Sequence, residues 1–507
     1  MSWSAGYVVD TPCTPGFYRE MAPAAVAFAA LLAGRAVPAP RAALELGCGA
    51  GFNAAVLAAA NPDCAWTAID FNPDHIAAAE DFRARAGLTN LTLSDASFAE
   101  CRTRHPGPFD CVAAHGVYSW IGDDTARDVQ EILRTSLSVG GALYLSYNCL
   151  PGWAALAPLR RLFAEAAARH VGSSADKARA AVDFARRLAD QGAAYVSANP
   201  TVRARLDAIS GQDPQYLAHE YLNADWRLLY HADVARDMAA AKLSFLGSAD
   251  PVEAFPELAL PAGMRDMVRA EPDPALAETL KDFAVNRQFR RDLFGKGTLR
   301  LSAAEREARL LDTDVVTLVY PGDLRLELRT AAGDLDGYAD LAHAIAERLW
   351  RDGPLPLRAF VGSAGPAPVL RTVALLVHAN QIHPVARAVT DEARAIARRF
   401  NATVCERTLA GEERGFFAAP GIGSGIPAGF MEQVVYRALA ANPAATATPT
   451  AADLADAVQP ELARLGRPVM KAGEPIADPR EQTRELAARL ALHLERKVPV
   501  WRRLGVL

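Results

Sequence analysis

The chain has 507 residues, a formal net charge of −5, 51% hydrophobic residues and 22% charged residues. This length suits roughly three or four domains with ample buried cores, and the composition is that of a globular protein. The acidic balance excludes any global attraction to nucleic acid or to an anionic membrane. Seven cysteines without C-x-x-C spacing suggest neither a disulfide framework nor a zinc site, and the ten histidines show no H-E-x-x-H pattern, so no metal is expected. The N-terminus has no basic and apolar leader pattern. Its longest apolar run, 24–33, is far short of the ~20 residues of a membrane span, which makes the bacterial cytoplasm the expected location.

In chain order, residues 1–40 carry Tyr7, Tyr18 and a helical stretch at about 22–33. The apolar run Ala43-Leu44-Glu45-Leu46 then breaks into Gly47, Gly49 and Gly51, and a helix-forming run, Ala54 to Ala60, follows. Glycine serves where φ is positive or where a ligand lies too close for a Cβ. Between a strand and a helix, such a loop sits outside the carboxyl end of a parallel strand, where open α/β sheets bind ligands. About twenty residues on, the strand-like Ala65–Ile69 ends in Asp70, placed to take a ribose hydroxyl pair.

Read from Gly49, the loop matches the loose dinucleotide pattern G-x-G-x-x-A. Read from Gly47, the G-x-G-x-G preceded by Glu-Leu resembles the first motif of class I S-adenosylmethionine (SAM) methyltransferases. The resemblance implies SAM as cofactor, held by Glu45, Gly47, Cys48, Gly49, Gly51 and Asn53, with Glu45 helping to hold the methionyl end. In many such enzymes an N-terminal segment closes over the cofactor, which makes Tyr7 and Tyr18 either lid residues or ordinary packing.

Asn72-Pro73-Asp74 reads as the cap of a helix through Arg85. A third strand at 91–94 ends in Asp95. By the resemblance, Phe71 borders the cofactor and Asp95 and Ala96 receive the adenine; by local sequence Asp95 also reads as a surface-turn aspartate. The fourth strand, Phe109–Ala114, runs into His115-Gly116-Val117-Tyr118-Ser119-Trp120-Ile121. This loop lies beside the first strand across the reversal of strand order, so it faces the cofactor's methyl group. His115 is a candidate proton relay and cofactor contact, or a hydrogen-bonded structural histidine. Tyr118 and Trp120 are candidate catalytic ring faces for a cationic amine, although at i and i+2 they need not face one cavity. A helix from Asp123 to Leu137 and a fifth strand, Ala142–Tyr147, follow.

The runs A-H-G-V-Y-S-W and G-G-A-L-Y-L-S-Y-N-C-L-P-G-W resemble bacterial methyltransferases with a methyltransferase regulatory domain. These include protein-lysine methyltransferases acting on an outer-membrane surface protein. His219-Glu220-Tyr221-Leu222, Tyr230-His231 and Phe289-Arg290-Arg291-Asp292-Leu293-Phe294 fit the same resemblance, which spans roughly residues 1–300. Cys149 departs from it where threonine is expected, and Cys13 where tyrosine is common.

The fold class expected is α/β: a Rossmann-like class I methyltransferase sheet with an inserted helical domain and further α/β and helical C-terminal domains. The divisions are 1–150 (SAM-binding core), 151–215 (helical insertion), 216–301 (regulatory region completing the sheet), 302–400 (middle α/β domain) and 401–507 (mostly helical). In the insertion, Trp153, Leu156, Leu159, Leu162 and Phe163 recur at helical spacing. Two helices alone cannot cover such a stripe, so a homodimer through 151–215 is expected, as the resemblance also implies. In the middle domain, Val315–Tyr320 and Leu324–Arg329 read as a hairpin around Pro321-Gly322-Asp323, and the helices that follow are open to a winged-helix reading. Gly421–Gly425 reads as a loop leading into a helix.

The expected function is a SAM-dependent methyltransferase. Protein lysine is the acceptor favoured by the resemblance, a small molecule the alternative. A SAM-sensing DNA-binding regulator is remote, because its would-be recognition helix, 369–380, offers only Arg371 and His378 as cations.

Overall fold

The computed structural model describes residues 4, 6–11, 16–326, 333, 336–412, 414–441, 449–471 and 474–507. Cys13 and the end of the expected hairpin strand at 327–329 lie outside these residues.

A seven-stranded sheet forms the centre: β1 (Ala42–Leu46), β2 (Ala65–Asp70), β3 (Leu91–Asp95), β4 (Phe109–Ala114), β5 (Leu137–Asn148), β6 (Ser244–Ser248) and β7 (Phe289–Gly295). The order is β3-β2-β1-β4-β5-β7-β6, with β7 antiparallel to both neighbours and β1 to β5 parallel. This is the expected fold class. Strand order reverses between β1 and β4, which opens a crevice at their carboxyl ends. Both faces of the sheet are covered, so β1 and β4 read as apolar runs rather than alternating ones. The helices flanking the sheet are α1 (Pro23–Leu32), α2 (Phe52–Ala60), α3 (Pro73–Ala86), α4 (Phe98–Arg104) and α5 (Asp123–Ser136).

All nine residues of α2 are buried. A helix apolar all round must be enclosed, and the C-terminal part of the chain encloses it. Helix Asp391–Leu409 crosses α2 and α3, with Phe400 stacked 6.3 Å from Phe52 and edge-on at 5.5 Å to Phe82. The hairpin Phe416–Ala419/Ser424–Pro427 lies along the same helix. Gly421–Gly425 is therefore the turn and second strand of a hairpin, not a loop following irregular chain.

The insertion buries its apolar stripe within the chain. Leu159 and Phe163 on helix Ala157–Ala167 are 2% and 1% exposed. They pack with helices Ser174–Asp190, Pro200–Ile209 and Pro214–Tyr221, and Phe163 meets Tyr221 edge-on at 5.0 Å. The N-terminal segment is tied here as well: Asn223 Oδ1 accepts from Val8 N at 2.9 Å, and Asp10 accepts from Ser174 N at 2.8 Å. The stripe that the sequence leaves open for a second copy is thus filled by the chain's own helices. Its Leu159–Phe163 face gives no reason for a dimer.

In the middle region, Asp314–Thr317 pairs antiparallel with Leu355–Pro356 on one side and Ile382–Pro384 on the other. Pro321–Asp323 is a 3-10 turn and 324–326 form no strand, so the expected local hairpin is replaced by long-range pairing. Helix Pro366–His378 is a core element, buried at Val369, Leu370 and Thr372 to Val377. Its two cations are engaged internally, Arg371 with Glu257 at 3.1 Å and His378 with Asp250 at 2.8 Å. That helix cannot enter a DNA groove.

Candidate active site

The glycine loop between β1 and α2 is shaped by contacts on both sides. Gly47 and Gly51 have φ of +70° and +69°, a region that L side chains rarely adopt. A Cβ on Gly47 would lie 2.6 Å from Val117 Cγ2, and one on Gly51 would lie 2.7 Å from Ala79 Cβ. Gly47 N and Cys48 N both donate to the Ile69 carbonyl at 2.9 Å, which draws the loop over the end of β2.

Asp70 organises this corner. One carboxylate oxygen accepts from Gly49 N at 2.9 Å; the other accepts from Asn72 N at 3.0 Å and lies 3.2 Å from His75 Nδ1. A carboxylate offers about four acceptor positions. Two are taken by backbone N–H groups and a third faces His75, which leaves Asp70 able to accept from the ribose.

Glu45 is 4% exposed and accepts from Asn53 Nδ2 at 3.0 Å. Burial pushes its pKa up to about 7, and the Asn53 bond opposes that rise. Asn53 also accepts from Tyr18 N at 2.9 Å through its Oδ1, so it joins the loop helix to the N-terminal segment. Tyr18 stacks on His115 with centroids 3.5 Å apart. Tyr7 meets Phe71 edge-on at 5.8 Å, just past the end of β2. Both tyrosines therefore reach the carboxyl edge of the sheet.

Asp95 pairs in register with Asp70 and is exposed, 3.4 Å from Arg104. Ala96 is buried, and its amide donates to the Asp70 carbonyl at 3.1 Å, so it has no free N–H for an adenine.

The three candidate catalytic residues separate. His115 is in the crevice: its Nδ1 lies 2.9 Å from Tyr144 Oη, and Phe289 is 5.9 Å away. Burial, reinforced by Arg291, lowers its pKa to about 3. This favours the neutral imidazole and weighs against His115 as a base.

Tyr118 is fully buried against Leu44, Leu46 and Val129 on the other face of the sheet. Its hydroxyl donates to Asp237 at 2.7 Å and accepts from Gln130 at 3.2 Å. It is a core residue and lines no acceptor wall. Trp120 is half-buried and stacks on Trp226 at 6.5 Å, which in turn meets Trp153 edge-on at 5.2 Å. These rings seat the helical insertion.

Sequence reasoning missed Glu20, Tyr144 and Ser146. Tyr144 and Ser146 share one face of β5, a signal that period-two reading offers. Ser146 accepts from Gly116 N at 2.8 Å, which fixes the loop carrying His115. Glu20, in the 3-10 turn Arg19–Met21, lies 3.7 Å from Arg291 and acts electrostatically on Tyr144. No sequence pattern marks it.

These residues fit SAM. Glu45, a buried carboxylate with one side-chain hydrogen bond, suits an ammonium. The remaining acceptor position of Asp70 suits a ribose hydroxyl. Ser94 Oγ, near the end of β3, is buried without a hydrogen-bond partner among the described residues. Because its folded pKa is raised, Glu45 contributes stability that is present below about pH 4.5 and is lost as pH rises through about 7. A ligand ammonium favours the ionised form, so SAM affinity should rise about tenfold between about pH 6 and pH 8. Calorimetry on Glu45→Gln should give a flatter profile; an unchanged slope would remove Glu45 as the titrating group.

Comparison with known proteins agrees with this geometry. Residues 44–143 match a family model described as a methyltransferase domain, and residues 213–296 match a predicted methyltransferase regulatory domain. The uncharacterized protein sll1526 of Synechocystis sp. is 30% identical over 446 residues, 86% of this chain and 88% of its own length. The uncharacterized protein RP789 of Rickettsia prowazekii is 24% identical over 262 residues, 51% of this chain and 46% of its own length. Among solved structures, PKMT2 from Rickettsia typhi in complex with AdoHcy has the same fold, with a TM-score of 0.72 at 18% identity over 97% of this chain and 100% of that one. The chain belongs to the class I SAM-dependent methyltransferases that carry a methyltransferase regulatory domain, and SAM is its cofactor.

Proposed function

We propose that the methyl acceptor is the side-chain amine of a lysine in a protein. The observation that carries this reading is the acid Glu20, held loosely by Arg19 and Arg291 at 3.7 Å and felt by Tyr144, beside the Tyr18–His115 stack and Phe289. An acid beside aromatic faces attracts a cation, and the surrounding burial then weakens the ammonium's hold on its proton. The resemblance of the loops after β4 and β5 to protein-lysine methyltransferases points the same way.

Bound SAM supplies a methyl group on a sulfonium. The chain's own residues position the acceptor amine in line with it, about 3–3.5 Å from the methyl carbon. The incoming ammonium competes with Arg19 and Arg291 for Glu20 and releases its proton to water at the crevice mouth. His115 acts as an uncharged wall held by Tyr144. Transfer forms the N–C bond, breaks the C–S bond and leaves a methylammonium.

Incubation with labelled SAM and a cell lysate, followed by mass spectrometry, should place the label on lysine side chains. Label confined to the small-molecule fraction would reject the reading. Glu20→Gln should lower kcat/KM for the lysine acceptor by roughly tenfold, the loss of one ion-pair-strength contact, with SAM affinity nearly unchanged. An equal loss of SAM affinity would place Glu20 with the cofactor.

A further inference from the structure

A second cavity lies away from the crevice, between α1, the connector into β1 and the middle region. It measures about 280 Å³ and opens to solvent. One part of its wall is apolar, from Ala27, Phe28 and Leu31 on α1, Val37 on the connector and Val385 beyond strand Ile382–Pro384, and the rest is polar, including Asn61 and Thr313. Three arginines line it, Arg35, Arg309 and Arg387, and no carboxylate does.

The charges are unequally satisfied. Arg387 is neutralised by Asp63 and also donates to Asn61 Oδ1 at 3.3 Å. Arg35 and Arg309 make no ion pair among the described residues. Each is held by backbone structure: Arg35 by pairing with Arg300 across a two-stranded ribbon, Arg309 by the last turn of helix Ala303–Leu311. The site therefore offers two guanidinium groups without an ion pair among the described residues, although Arg309 feels Glu305 one turn away on its own helix. Guanidinium forks match a carboxylate bidentately. The volume falls just under the ~300 Å³ lower end of ordinary ligand pockets, which suits a small ligand.

We propose that this cavity binds a small apolar carboxylic acid, with its carboxylate on Arg35 and Arg309 and its hydrocarbon body against α1. The site is separate from the methyl-transfer crevice and does not depend on which acceptor is methylated there.

The test uses the full chain and calorimetry with octanoate, with octanamide as its uncharged counterpart. Octanoate should bind saturably at one site per chain, and octanamide at least about tenfold more weakly, a difference of about 1.4 kcal/mol. The double variant Arg35→Ala/Arg309→Ala should weaken octanoate by at least tenfold while SAM binding, which these residues do not touch, reports that the chain is folded. Should that variant fail to fold, Ala27→Leu fills the recess from α1 without altering charge, and it should also abolish octanoate binding. No saturation below about 10 mM octanoate, equal binding of acid and amide, or undiminished binding by either folded variant would overturn the proposal.

Discussion

Asp70→Ala is expected to weaken SAM binding by roughly 10- to 150-fold, the equivalent of one charge-assisted hydrogen bond at about 1.5–3 kcal/mol. The effect has two parts. The remaining acceptor position for the ribose is lost, and Gly49 N, Asn72 N and His75 lose the carboxylate that now gathers them. The loop would be left without its anchor although its glycines keep their positive φ, so a lower SAM affinity should be joined by a slightly lower melting temperature. Asp70→Asn keeps one acceptor oxygen but turns an amide toward donors, and it should fall between wild type and alanine. Calorimetry showing less than a threefold change for the alanine variant would mean that the ribose is held elsewhere.

The fold and the cofactor were legible because their signals are local. A glycine loop between strand and helix, with an acid one strand further on, needs only about thirty consecutive residues. Their geometry follows from the parallel βαβ connection. The acceptor half of the site was not. His115 and Tyr118 are three residues apart on one irregular loop, where no period assigns sides. What assigns Tyr118 to the core is Asp237, on helix His231–Ala240, which returns to the sheet only after the insertion. Glu20 enters the crevice from the opposite end of the chain for an equally long-range reason. The apolar stripe at 153–163, which suggested a second copy as its cover, finds that cover within the chain, in helices 200–221 that pack on Leu159 and Phe163. In the middle region, Pro321-Gly322-Asp323 has the chemistry of a hairpin turn, yet Asp314–Thr317 finds its partners some forty to seventy residues away.

The segment matched as a regulatory domain, 213–296, contributes the reversed strand β7 and the edge strand β6 of the catalytic sheet, and a buried charge cluster holds it there. Arg290 is 4% exposed and donates to Asp292 at 2.9 Å, to Asp282 at 2.7 Å and to Glu278 at 2.8 Å. Tyr147 donates to the same Asp292 at 2.6 Å, and His231 lies 3.0 Å from it. Arg287 bridges Asp282 and Glu253. The cluster thus fastens β5, β7 and two helices, His231–Ala240 and Pro274–Val285, at one point.

Arg290→Ala should be the most destabilising single change in this region. It leaves Asp282 and Asp292, 0% and 1% exposed, without their shared cation. Breaking a buried pair from one side costs about 3–5 kcal/mol, which in a domain of this size lowers the melting temperature by roughly 10 °C. The sign of the pH dependence separates charge from packing. In the native chain Asp292 titrates well below its usual range, chiefly because Arg290 and His231 outweigh its burial, so its contribution is lost as pH falls. Without Arg290, only Arg287 opposes burial at Asp282 and only His231 at Asp292, so both carboxylates titrate higher than in the native chain and the variant loses stability as pH rises. The gap between native and variant should therefore be wide at about pH 8 and narrow at about pH 5. Melting curves at both values decide it: a gap of the same size at each would show that Arg290 acts by filling space, and a gap under about 1 kcal/mol would show that the cluster does not hold the regulatory segment to the sheet.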